Sequence, residues 1–405
     1  MEKEFIKKTN RSVTLNVTAG KIDSFRQIEK TTGTVRVYDN GCIGVAGCLG
    51  EPDENELTKK AVEALEFGIP YPEALEGELE LEELHEKEII PVSEFIPTMQ
   101  RFLDRLGKLC PDFALSNKIS LEIVRTEYTN SKGRHLVGSV SNISIQLIAQ
   151  ARGSGNLFDT GFGWTGVDFD EEALLAEFKR EYDAFFTPVD IEPGRYPVVI
   201  EPSMILARFG RHFVGDLYAA GASLVSGKLG EKLFSEKLTL GDDMNPETAY
   251  GACCFDAEGC VAPDYRPAIV ENGVLRGLLT TKKTADAYGL PNLGSADADY
   301  DGVPEFGMHG FYLEKTADTV RELAPGKAII VVLAEGGDAT PDGHFATPVQ
   351  MAYLIENGEY KGRLPDIGIS GGFFDLLGKD YVGAVHDFPL KGSVFGAFMM
   401  DVERE

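Results

Sequence analysis

The sequence predicts a mixed α/β protein of the α+β kind, built as two domains. Three observations carry that expectation. In the first half, strand-like alternation is interleaved with three amphipathic helical stretches. From Thr187-Pro188 to Pro193-Gly194 the pattern is interrupted by turn formers. Beyond Leu240 short strands and turns dominate. The boundary is set at residue 190, giving an α/β domain over 1–190 and a β-rich domain over 191–405. The chain has 405 residues, enough for each part to bury its own core.

Taken in order, residues 12–47 read as a β-meander. Val13, Leu15 and Val17 alternate, Val35 to Tyr38 is strand-like, and Asp39-Asn40-Gly41 is a strong hairpin turn. Asp53 with Glu56 resembles a capping box ahead of the apolar stripe Leu57, Ala61, Val62 and Leu65. The run from Glu73 to Glu88 reads as a solvated face or loop and not a metal site. A second helix is expected from Ser93 to about Leu109, with Phe95, Met99, Phe102, Leu103 and Leu106 on one side. Two strands then meet at Asn130-Ser131-Lys132-Gly133. Asp170 opens a third helix carrying Leu174, Phe178, Tyr182 and Phe185.

The stretch from Arg195 to Leu240 is central. A strand from Tyr196 to Ile200 leads into Pro202 and Ser203, the latter a suitable N-cap. Ile205, Leu206, Phe209, Phe213 and Leu217 recur at helical spacing, so one buried helix is expected. The small-residue run Ala219 to Gly230 follows, where backbone could approach a neighbour closely. Later, Ala268–Gly277 and Tyr353–Gly362 both read as hairpins with Asn-Gly at the tip.

Composition excludes several classes. A formal charge of −26 argues against a nucleic-acid surface, which needs clustered Lys and Arg. No apolar run approaches the roughly 18–20 residues of a membrane span. The charged start, MEKEFIKKTN, has no apolar core of a signal peptide. Six cysteines without a CxxC fit reduced thiols, so the expected location is cytoplasmic.

Four motifs invite a functional reading. Gly161 to Gly166 matches GxGxxG, but no strand leads in and no helix opens on its last glycine, so a glycine-rich loop is expected. Gly221 to Lys228 fails as a P-loop, having five residues between glycines and Leu229 where Ser or Thr is required. Gly368 to Gly372 matches GxSxG, yet His386 follows Ser370 too closely for a triad on that scaffold, and a turn is expected. His212 and Asp216, four apart on the expected helix, could share a metal ion; a third ligand is not supplied nearby, and a paired surface His is the plainer reading.

The chain resembles the TldD/PmbA family. The resemblance rests on Thr31 to Gly47, the turn Asn130 to Gly133, Gly221 to Gly230, Asp256-Ala-Glu-Gly259, Val270-Glu-Asn-Gly273 and Ile355-Glu-Asn-Gly358, in that order. It implies a two-domain fold packed around the central helix. In TldD-type members that helix carries HExxxH, with two zinc ligands and a glutamate base, and a cysteine near the C-terminus is the third ligand. Anchored on Gly215-Asp216, the two histidine positions are Leu206 and Arg211 and the glutamate position is Ala207; no cysteine follows Cys260. Leucine cannot bind zinc and a guanidinium repels it. This chain is therefore similar to the PmbA branch, also called TldE.

The resemblance implies a non-catalytic subunit without a catalytic residue, metal or cofactor of its own. Zinc is then expected only in a TldD-type partner; a homodimer is the other assembly. The substrate would be an unfolded peptide. His212, Asp216, Gly221 and Gly227 are the candidate peptide- or partner-binding residues, and neither nucleic acid nor membrane is expected as a partner. Two alternatives stay open: an active metallopeptidase using His212, Asp216 and another histidine, or a regulatory protein without a protease partner.

Overall fold

The computed structural model describes residues 1–248, 253–386 and 394–404. Its first sheet begins with β1 (Glu2–Thr18), β2 (Lys21–Asp39) and β3 (Cys42–Leu49), an antiparallel meander. Asn40 and Gly41 turn β2 into β3 with φ of 52° and 74°, the left-handed pair that a two-residue hairpin needs. Asp53 caps α1 (Glu54–Ala64) by accepting from the backbone N–H groups of Asn55 and Glu56. After β4 (Ile69–Pro70) and β5 (Leu79–His85) comes α2 (Val92–Leu109), which buries the five apolar residues expected of it. Next are β6 (Phe113–Asn130), β7 (Arg134–Ala151), β8 (Thr160–Gly166) and α3 (Glu171–Phe185), capped by Asp170.

The strand order is β4-β3-β2-β1-β6-β7-β5, with β8 also pairing β7. Strands β1, β2, β6 and β7 are 17 to 19 residues long, about 60 Å of extended chain. Because side chains alternate, such a sheet separates two chemistries. Val35 and Val37 meet Leu57 and Ala61 of α1 at one end. Val13, Leu15, Ile119, Ile143 and Ile145 meet Phe95, Phe102 and Phe178 of α2 and α3 at the other. The opposite face presents Lys8, Asn10, Thr32, Thr34, Arg36 and Thr126 to a cavity.

Two expected loops are strands, for one reason. The acidic run from Glu73 to Glu88, expected as a solvated face or loop, contains strand β5, parallel to β7, and its glutamates form a solvated face. Its charges mask a period of two, in which Leu79 and Leu81 pack inward while Glu80 and Glu82 stay exposed. Likewise Gly161 to Gly166 is strand β8, not a loop: Phe162 and Trp164 are buried, and Gly161, Gly163 and Thr165 occupy the alternate positions. No helix opens on Gly166, so the exclusion of a dinucleotide fingerprint is unaffected.

The second sheet begins at β9 (Gly194–Ile200) and takes its strands from there to the C-terminus. Its order is Asp338–Ala339, His344–Val349, Ile367–Gly372, Phe395–Arg404, β9, Lys327–Leu333, Met351–Glu356 and Glu359–Arg363, with Tyr381–Val385 also pairing Phe395–Arg404. The GxSxG segment lies on strand Ile367–Gly372, where Ser370 faces Ala346 and Asp401 across the ladder, so it is not the expected turn. Both expected hairpins form, with Asn272-Gly273 and Asn357-Gly358 at positive φ.

The expected central helix is broken. Pro202 starts α4 (Pro202–Phe209); Glu201 holds the cap position, and Ser203 lies inside the helix and caps nothing. A 3-10 turn covers Gly210–Phe213, Val214 is extended at φ −75° and ψ 126°, and α5 runs Gly215–Ala219. The break has a tertiary cause. The Gly215 N–H leaves the helical ladder to donate to Leu279 O, and a Cβ on Gly215 would lie 2.6 Å from Thr280 Cγ2.

Candidate functional site: a polar cavity between the two sheets

A cavity of about 1590 Å³ separates the open face of the first sheet from loops of the C-terminal half. That exceeds the few hundred to about 1,000 Å³ typical of small-molecule pockets. The sheet supplies Lys8, Asn10, Lys30, Arg36, Thr126 and Gln146; the opposite side supplies Glu201, Asp243, Asp297, Asp299, His309 and His386. Arg36 is buried and held through one nitrogen, its Nη1 donating to Glu4 Oε1 at 2.8 Å and to Ala257 O at 2.6 Å. Tyr38 and Tyr128 hydroxyls donate to the same Glu4 carboxylate.

The candidate residues on the broken helix do not line this cavity among the described residues. Leu206 is packed in the C-terminal core with Ile205 and Phe209, whereas Ala207 and Arg211 are exposed. The residues at the HExxxH positions thus differ in environment as well as in chemistry. They offer no donor set to zinc.

His212 and Asp216 are not partners either, because the break at Val214 removes the helical spacing that would align them. His212 is buried against Phe373, and its Nδ1 accepts from Leu224 N at 3.3 Å. Burial, then the charge of Arg211, holds its pKa below the ordinary value. Asp216 Oδ2 accepts instead from Thr284 Oγ1 at 2.7 Å. Gly221 and Gly227 have φ of 71° and 77° with open space where a Cβ would sit. They serve turn conformation, and the expected close approach is absent there.

A second group lies at the cavity wall, to which Asp256 contributes. Ligand atoms of Asp256, Glu258 and Cys260 come within 4.8 Å of one another. Their chemistry is structural. Asp256 Oδ1 accepts from the N–H groups of Glu258 and Cys260, and Oδ2 from Ala296 N. Glu258 Oε2 accepts from Lys282 N at 2.9 Å and Oε1 from the Tyr71 hydroxyl. The Lys282 ammonium, also buried, donates to Glu258 O. Every carboxylate oxygen therefore has a protein donor, and a cation is already in place. Burial first, then the charge of Asp256, pushes Glu258 up to about 7.

Sequence reasoning missed His309. Its Nδ1 lies 2.9 Å from Asp242 Oδ2, while Asp242 Oδ1 accepts from His309 N at 2.9 Å and Gly310 N at 2.8 Å. Asp242 is 0% exposed, so the ring is held by a fixed carboxylate. Burial opposes the charged ring, but the hydrogen bond and charge of Asp242, aided by Asp256 and Asp297, hold its pKa above the ordinary value. The two residues are 67 apart in the chain, and no local pattern links them.

Residues 193–400 match the family model described as the PmbA/TldA metallopeptidase C-terminal domain. A metalloprotease of Archaeoglobus fulgidus is 25% identical over 398 residues, spanning 94% of this chain and 91% of that protein. One from Methanocaldococcus jannaschii is 28% identical over 261 residues, 62% of this chain and 57% of that protein. Among solved structures, TldE from Thermococcus kodakarensis has a TM-score of 0.80 at 18% identity, covering 100% of this chain and 97% of that one. A protein of Thermotoga maritima, described as a candidate modulator of a DNA gyrase, has a TM-score of 0.74 at 19% identity, covering 99% and 96%. At such identities these two report on the fold.

Proposed function

This chain belongs to the TldD/PmbA family of metallopeptidase-like proteins, and on that footing we propose that it is the non-catalytic, PmbA-like subunit of a zinc peptidase complex. The observation that carries the reading is the set Leu206, Ala207 and Arg211. A core leucine, an alanine and an exposed guanidinium can neither ligate zinc nor act as its general base. The chain's contribution is enclosure. Its polar cavity receives an unfolded peptide, and cleavage occurs at the metal of a TldD-type partner.

Among the described residues β8 pairs only with β7, and Gly161, Gly163 and Thr165 border the cavity. An extended peptide would add to that free edge. The exposed glycines Gly221 and Gly227 belong to the surface offered to the partner, in a cytoplasmic dimer. A second reading, an active peptidase with unusual ligands, is favoured by the names of the aligned metalloproteases. The two readings separate on metal content by mass spectrometry and peptide cleavage, with the chain alone and mixed with a HExxxH-bearing relative. Cleavage only in the mixture supports the subunit reading; one equivalent of zinc and cleavage by the chain alone would sink it.

A further inference from the structure

We propose that His309 is the residue that anchors an enclosed peptide in this cavity, by donating a hydrogen bond from Nε2 to a peptide carbonyl oxygen. The inference deepens the subunit reading and rests on it. The imidazole belongs to the cavity lining, and its ring is 16% exposed. Its Nδ1 is committed to Asp242, so Nε2 is the nitrogen left for a ligand, and it has no hydrogen-bond partner among the described residues. Three donors from residues 309 and 310 fix the Asp242 carboxylate. The ring therefore cannot swing away without breaking a buried charge-assisted contact. The ring is anchored on one side and offered to the cavity on the other.

The surroundings decide which way the hydrogen bond runs. Asp242 and Asp243 lie at the end of β10 (Leu240–Asp242), Asp256 approaches from the segment that follows β10, and Asp297 from the segment before residue 309. Arg266 is a cation on this wall, but its Nε is paired with Asp243 at 3.2 Å and its guanidinium lies over the Tyr312 ring. His386 is on the same cavity lining, and burial, its largest influence, lowers its pKa. Burial opposes the charge, but the carboxylates favour the imidazolium, the form in which Nε2 carries a proton and donates. A peptide main chain supplies carbonyl acceptors at every residue, whatever its sequence, which suits an unfolded substrate. With the folded pKa above the ordinary 6.5, anchoring is present at lower pH and is lost as pH rises through the folded value.

The test uses the full chain and a defined probe, pentaalanine, followed by imidazole NMR and calorimetry. Added pentaalanine should shift the His309 ring signals and leave those of His135, which lies outside the cavity lining, unmoved. Affinity should fall about tenfold or more in His309→Ala, the scale of losing a hydrogen bond to a charged group. His135→Ala should bind like wild type, and wild-type affinity should weaken in alkaline buffer while His309→Ala shows no such dependence. Equal affinity of His309→Ala and wild type, or unshifted His309 signals, would overturn the proposal. If His309→Ala supports normal cleavage when mixed with a HExxxH-bearing partner, the anchor fails while the subunit reading stands. Cleavage by the chain alone would instead remove that reading.

Discussion

At the scale of the residue, the buried Glu258 gives the sharpest expectation. Burial and the charge of Asp256 raise its folded pKa to about 7, above the ordinary 4.5. The folded state keeps a proton that the unfolded chain would release, so this contribution to stability is complete below about 4.5 and is lost as pH rises through about 7. Thermal melting of the wild type should fall between pH 6 and 8. Glu258→Gln, which resembles the protonated form, should show a flatter profile; an unchanged slope would refute the assignment. Beside it, Gly259 has φ +70°, and a Cβ there would meet the Tyr128 ring at 2.6 Å. Gly259→Ala should therefore cost about 2 kcal/mol or more in denaturant unfolding, through strain and overpacking together. Gly221→Ala, with open space but positive φ, should cost only about 1 kcal/mol. The sequence marks both glycines alike. Only the fold distinguishes a glycine needed for contact from one needed for conformation.

At the scale of the element, legibility followed periodicity. The helices capped by Asp53 and Asp170 were readable because cap and apolar stripe agree locally. Strands β5 and β8 were not, since charge in one and glycine in the other hid the alternation. The central helix was misread for another reason: its apolar spacing runs unbroken from Ile205 to Leu217, while the break at Val214 comes from a bond to Leu279, far along the chain. This bears on restoring a metal site. In Leu206→His/Ala207→Glu/Arg211→His, the first histidine would replace a leucine that is 6% exposed in the core. The triple variant should lose about 2–5 kcal/mol, the range for removing a large core aliphatic, and should gain no dialysis-resistant zinc. Retained zinc at one equivalent, with an intact melting transition, would mean that the helix is better placed for chemistry than its packing indicates.

At the scale of the whole molecule, the two halves share more than a linker. The sequence located a Pro- and Gly-bearing junction at 187–194, and residues Phe186 to Asp190 are largely exposed. What it could not disclose is that α3, just before the junction, is covered by the second sheet. Met351 and Tyr353 enter the core formed by α2, α3 and the first sheet. The Arg363 guanidinium lies 4.6 Å from the Phe185 ring centre, and backbone bonds join Thr187 and Val189 to Arg363. These pairings depend on strand Glu359–Arg363, some 170 residues downstream by numbering, so no window of sequence contains them. If residues 1–190 and 191–405 are separate domains, a protease should cut first within 187–193. The fragments should nonetheless elute together from a sizing column in native buffer and separate only in denaturant, because the apolar contacts around α3 survive the cut. Spontaneous separation in native buffer would mean that the shared core contributes little, and the cavity would then depend on a partner subunit to keep its two walls in register.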